Sequence, residues 1–133
     1  MPTEFLEIVR DSFYDELADM QFYSNLANAA PNVEIRQIIM TIVGDEYGHA
    51  RVFASILGLV PPALGQIQAT APTFVDFKQG LEAAIQGEIG AVARYSLLAR
   101  LAPTQLLRLI MLNVAGDEYE HEKIWETIFT LDP

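Results

Sequence analysis

The 133-residue sequence contains no cysteine. That absence excludes disulfides, zinc ribbons, iron–sulfur clusters and a rubredoxin-type iron site, so any redox chemistry must draw on other ligands. Basic residues are scarce: 8 Lys and Arg stand against 18 Asp and Glu, for a formal charge of −10. This balance disfavours the nucleic-acid backbone as a partner, and no basic patch offsets it. Long apolar runs are missing too, and Glu4 and Glu7 stand where a secretory signal would be basic and then apolar. The expected setting is therefore the cytoplasm, away from membranes. Disorder is excluded by an apolar content of 51%, and the length suits a single domain over residues 1–133.

What the chain does have is a repeat. The stretch Gly44-Asp45-Glu46-Tyr47-Gly48-His49 returns 72 positions later as Gly116-Asp117-Glu118-Tyr119-Glu120-His121. Sliding residues 11–57 along by 72 pairs them with 83–129 without a gap, and 15 of the 47 pairs are identical. Glu16 pairs with Glu88, Tyr23 with Tyr95, and Pro31 with Pro103. An internal repeat of this size marks one structural unit used twice, here a helical hairpin.

Apolar residues at alternating steps of three and four predict four helices. Helix 1 runs from Thr3, as its cap, to about Asn28, with the seam Leu6, Val9, Phe13, Glu16, Met20, Tyr23, Ala27. Pro31 breaks it, and helix 2 runs to about Leu57 along Ile35, Ile39, Ile42, Glu46, His49, Phe53, Ile56 until Gly58 stops it. Residues 58–72, with Pro61, Pro62, Gly65 and Pro72, read as a crossover. Helix 3 opens near Thr73 with the seam Lys78, Leu81, Ile85, Glu88, Val92, Tyr95, Ala99. After the turn at Pro103, helix 4 carries Leu107, Met111, Val114, Glu118, His121, Trp125 and Ile128 to about Leu131. Repeat 1 spans about 3–57 and repeat 2 about 73–131. Two hairpins joined by one long crossover predict an all-α, ferritin-like four-helix bundle.

Six polar residues interrupt this seam: Glu16, Glu46, His49, Glu88, Glu118 and His121. In Glu-x-x-His both side chains project from one helical face. Glu16 and Glu46 each lie 15 residues from Pro31, as Glu88 and Glu118 do from Pro103, so each pair sits at one level, about 22 Å from its turn. Ionised carboxylates in a dry seam are very unfavourable unless paired or metal-bound. A salt-bridge network needs matching cations, and the only basic seam residue is Lys78, near one end. Rotating the six toward water would expose their apolar neighbours. Two metal ions resolve the conflict. One His with several carboxylate oxygens per ion suits iron or manganese, with zinc as a surrogate.

One Glu from each of two helices, with Glu-x-x-His from each of the others, resembles the di-iron carboxylate proteins of the ferritin-like superfamily. More closely, the chain resembles the erythrin domain of rubrerythrin-like proteins without a rubredoxin module. The resemblance implies two iron ions bridged by Glu46 and Glu118. Glu16 with His49 completes one ion's shell, and Glu88 with His121 the other's. Asp45 and Asp117 are the candidates to accept the second ring N–H of the histidines, the alternative being a solvated helix face. Tyr23 and Tyr95 lie on the seam seven residues beyond Glu16 and Glu88; their hydroxyls either reach the metal pocket or bond elsewhere in the core. Tyr47 and Tyr119 read as packing between helices, and Phe53 and Trp125 as core that keeps water out. One departure is that the family's extra helix-3 carboxylate is replaced by Ala91, while Asp19 holds the matching place on helix 1.

The expected activity is reduction of hydrogen peroxide or dioxygen, with electrons from a separate donor protein. Alternatives are a manganese catalase-like activity, a ferroxidase that passes iron on, and a non-catalytic interaction module stapled by metal. From Leu106 to Val114, helix 4 is apolar on more than its core face, which predicts a subunit interface, most simply in a twofold homodimer.

Overall fold

Four helices, α1 (Thr3–Asn28), α2 (Val33–Leu57), α3 (Phe77–Leu101) and α4 (Gln105–Leu131), make up a computed structural model that describes residues 2–60, 63 and 71–131. No β-strand occurs among the described residues. Capping chemistry sets most of the helix ends. Thr3 is already the first helical residue rather than the cap. At the far end of α1, Ala29 and Ala30 donate to the carbonyls of Leu26 and Ala27 at 3.1 Å each, a tightened last turn that Pro31 cannot continue. Asn32 then caps α2 from an extended backbone, its side chain accepting the Ile35 N–H at 2.9 Å.

Gly58 ends α2 at φ 72. Leu59 N–H reaches the Ala54 carbonyl at 2.8 Å and Gly58 N–H the Ser55 carbonyl at 3.2 Å, the Schellman closure that a left-handed residue permits. The start of α3 differs from the sequence expectation. Thr73 lies outside the helix, and Asp76 caps it, accepting the Gln79 N–H at 2.8 Å while the Gln79 side chain accepts the Val75 N–H. This reciprocal pair is close to a capping box and outcompetes the lone threonine. The connection thus extends to Asp76, and of the expected crossover, residues 61–62 and 64–70 lie outside the described residues. Thr104 opens α4, with Leu107 N–H on its hydroxyl at 3.2 Å.

The chain forms two compact units, Leu6–Phe74 and Val75–Pro133 with Met1–Phe5. In the first, α1 and α2 bury Val9, Phe13, Met20, Tyr23, Ile39, Ile42 and Phe53. Leu6, Ile35 and Ile56, at the ends of the expected seams, are half-buried, and Phe5 is buried in place of Leu6. In the second, α3 buries Leu81, Ala84, Ala91, Tyr95 and Leu98, and α4 buries Met111, Val114, Trp125 and Ile128. Ile85 and Val92 of the expected α3 seam are half-buried. Their neighbours Ala84 and Ala91 face inward instead.

The two hairpin turns share one device that sequence reading did not single out. Arg36 Nε donates to the Ala27 carbonyl at 3.3 Å, and Arg108 Nε to the Ala99 carbonyl at 3.4 Å. Each arginine adds a donor to a carbonyl in the last turn of the preceding helix, where intrahelical donors run short; that of Ala27 also accepts the Ala30 N–H.

Candidate metal centre

Seven polar or charged side chains are buried among the described residues. One is Ser12, whose hydroxyl donates to the Ile8 carbonyl at 2.7 Å. The other six are Glu16, Glu46, His49, Glu88, Glu118 and His121, each at most 5% exposed. The residues marked out by the repeat are thus the ones withdrawn from water.

Within the first hairpin, α1 contributes Glu16 while α2 contributes Glu46 and, one turn later, His49. His49 Nδ1 lies 3.8 Å from Glu16 Oε2 and 3.7 Å from Glu46 Oε1. The second hairpin repeats the arrangement: His121 Nδ1 lies 3.4 Å from Glu88 Oε2 and 3.7 Å from Glu118 Oε1. In each hairpin, one donor atom from each of the three residues lies within 4.8 Å of the others. Atoms bound to one first-row ion at about 2.0–2.2 Å stand about 3–4 Å from one another, so the spacing fits a shared ion. It exceeds the usual reach of a direct N–H···O hydrogen bond, about 2.7–3.2 Å.

The charge balance points the same way. Each of the eight Lys and Arg side chains is exposed or half-buried as a whole, and among them Arg94 has its Nε withdrawn from water. Lys78, the basic residue on the seam, is half-buried with Nζ 4.5 Å from the centre of the Phe129 ring. Four buried carboxylates and two buried imidazoles form a donor set suited to divalent cations.

Tyr23 and Tyr95 are buried, as are Phe53 and Trp125. Asp117 is half-buried and Asp45 exposed. Asp19 is half-buried, while Ala91 is buried. Tyr119 departs from the expected packing role: it is 53% exposed, with Lys123 Nζ 5.1 Å from its ring centre. The equivalent Tyr47 is half-buried, with the Arg51 guanidinium 5.8 Å from its ring. Arg94, which stands where the first repeat has Phe22, is half-buried with its guanidinium 5.4 Å from the Tyr95 ring. On the first hairpin, a groove of about 350 Å³ is lined by Met20, Gln21, Ser24, Met40, Val43, Gly44 and Tyr47. Met20 lies one turn beyond Glu16, and Val43 and Tyr47 lie within a turn of Glu46.

No helix among the described residues is long and apolar enough to cross a membrane. No protein-family model matches the sequence, and no curated protein matches it. Among solved structures, the chain is similar to one described as ferritin like, diiron-carboxylate proteins from Bacillus anthracis str. Ames. The TM-score is 0.82 at 20% identity, over 97% of this chain and 99% of that one. The likeness carries the fold: a ferritin-like four-helix bundle built from two repeated hairpins.

Proposed function

We propose that this ferritin-like chain acts as one domain, a di-iron carboxylate oxidoreductase that reduces hydrogen peroxide or dioxygen with electrons from a partner protein. The observation that carries this reading is the matched pair of half-sites. Each turns an imidazole Nδ1 toward two buried carboxylate oxygens at 3.4–3.8 Å. Its support from outside the chain is the fold shared with a structure described as diiron-carboxylate.

The donor set fits iron: one imidazole and several carboxylate oxygens per ion, with no thiolate. Glu16, Glu46 and His49 would hold one ion, and Glu88, Glu118 and His121 the other. Manganese suits the same ligands, and zinc would be a surrogate. Bound iron would supply electrons to an O–O bond and stabilise the negative charge that develops on its oxygens. Reduction of one peroxide consumes two electrons and two protons and yields two waters, so a separate donor protein must restore the electrons.

The chain's own residues serve this chemistry in distinct ways. Phe53 and Trp125, one turn beyond each histidine, keep water from the ligands. Tyr23 and Tyr95 offer hydroxyls at one level of the seam. Asp45 and Asp117, four residues before each histidine, would accept from Nε2–H of the imidazoles and so fix the tautomer that presents Nδ1. The groove at Met20 and Gly44 admits the small oxidant.

Stopped-flow spectroscopy of the anaerobic, iron(II)-loaded protein tests the proposal. Oxidation within seconds of adding peroxide, with water as the product and turnover sustained by an electron donor, is the expected result. A loaded protein that stays reduced in excess peroxide and in air contradicts it. Oxidation accompanied by release of iron(III) into a large particle would assign the site to iron handling instead.

A further inference from the structure

We propose that Met40 is a modification site: hydrogen peroxide oxidises its thioether to the sulfoxide, which then bonds across the groove to Gln21 and Ser24 and latches α2 to α1. The inference rests on the peroxide reading for its oxidant, while the latch itself uses no metal. Because the chain has no cysteine, methionine is the only sulfur it offers to a two-electron oxidant. Of the three methionines among the described residues, Met20 is 4% exposed, Met111 is fully buried, and Met40 is 45% exposed. An oxidant must reach the sulfur to attack it, so Met40 reacts first.

Its place in the fold gives that reaction a consequence. Both methionines of the first repeat, Met20 and Met40, line the groove beside Gly44 and Tyr47. The second repeat serves as an internal control: 72 positions on, they correspond to Val92 and Leu112. The hairpin therefore packs with branched aliphatic side chains at both places, and the fold does not require sulfur at either. Sulfur is placed in the wall of the groove that leads toward Glu16 and Glu46.

The step balances without a further reagent. A sulfur lone pair attacks one peroxide oxygen, the O–O bond breaks, and the other oxygen leaves as water with both peroxide protons. Sulfur is oxidised by two electrons and the peroxide is reduced by two. A thioether, a weak acceptor, thereby becomes a polar sulfoxide. Gln21 and Ser24 of α1 line the same groove and carry donors for the new oxygen. The Gln21 amide gives one N–H to Asn25 Oδ1 at 3.1 Å and has a second, and Ser24 has its hydroxyl. A bond from either one joins α1 to α2 across the groove and narrows it. Sustained excess of peroxide would thus restrict its own entry, and reduction of the sulfoxide would reopen the path.

Peptide mass mapping of the metal-free full chain after graded peroxide treatment tests the modification. Met40 should gain one oxygen atom at least about tenfold faster than Met20 or Met111, and methionine sulfoxide reductase should remove it. Thermal melts test the latch. Oxidation should lower the Tm of the Gln21→Ala/Ser24→Ala double variant at least about 3 °C further than that of the wild type, and should leave the Tm of Met40→Leu unchanged. In iron(II)-loaded protein, prior oxidation should slow the peroxide reaction of the wild type at least about threefold and that of Met40→Leu not at all. Oxidation of Met40 no faster than of the buried methionines, or an equal Tm shift in wild type and double variant, would overturn the proposal. A loaded protein inert to peroxide before and after treatment would instead defeat the redox reading, leaving the masses and melts to judge the latch.

Discussion

Arg36 and Arg108 make the same bond 72 residues apart, each donating from Nε to the carbonyl nine positions earlier, that of Ala27 at 3.3 Å and Ala99 at 3.4 Å. The bond ties the start of the second helix of each hairpin to the end of the first. It therefore fixes the level at which Glu16 meets Glu46 and Glu88 meets Glu118, each 15 residues from the turn.

Arg36→Ala and Arg108→Ala should each lower stability by about 1 kcal/mol, the net worth of one such hydrogen bond. Lysine should not restore it, because the bond uses the guanidinium Nε. Thermal melts of the four single variants check this. Unchanged Tm values in both alanine variants would show that the turns hold register without the arginines.

Buried glutamates give opposite signs with and without metal. In metal-free protein, Glu46→Gln or Glu118→Gln removes a carboxylate that is expensive to bury. Stability should then rise, by on the order of 1 kcal/mol. In iron- or manganese-loaded protein the wild type gains about 4 kcal/mol when free metal is 1,000-fold above Kd, and the variants should lose most of that gain. Denaturant melts with and without a chelator measure both. Loss of stability in both states would mean that the glutamates serve the fold rather than an ion.

Gly44 opens the groove beside Glu46, and a Cβ built there meets nothing within 4 Å. Gly44→Leu should therefore fold and bind metal normally, since leucine also favours a helix interior over glycine by about 0.8 kcal/mol. Peroxide-driven oxidation should slow at least about tenfold, equivalent to about 1.4 kcal/mol on the barrier. An unchanged rate with full metal loading would move the entry route elsewhere.

The helices and the six buried polar residues were legible because the repeat presents them twice. One Glu-x-x-His on a helix is ambiguous. Two copies level with Glu16 and Glu88 are much less so. The seam ends were less legible, since apolar periodicity weakens where few neighbours remain: Phe5 took the place assigned to Leu6. On α3, alanine and the larger apolar residue beside it fit the same period. Only packing decided that Ala84 and Ala91 face inward and Ile85 and Val92 do not. Thr73 marked the expected opening of helix 3, but the Asp76 side chain accepts the Gln79 N–H and the Gln79 side chain accepts the Val75 N–H, which places the start later. Arg36 and Arg108 were not singled out, although their recurrence at the repeat distance was there to be read.

Metal content of the chain loaded anaerobically with iron(II) and then freed of unbound metal tests the central claim most directly. If the buried glutamates and histidines hold a pair of cations, elemental analysis should give about two ions per chain. The count should fall when His49 or His121 is replaced by alanine, and should be lost when Glu46 and Glu118 are replaced together. A wild-type chain that retains no more metal than the Glu46→Ala/Glu118→Ala double variant would contradict the claim.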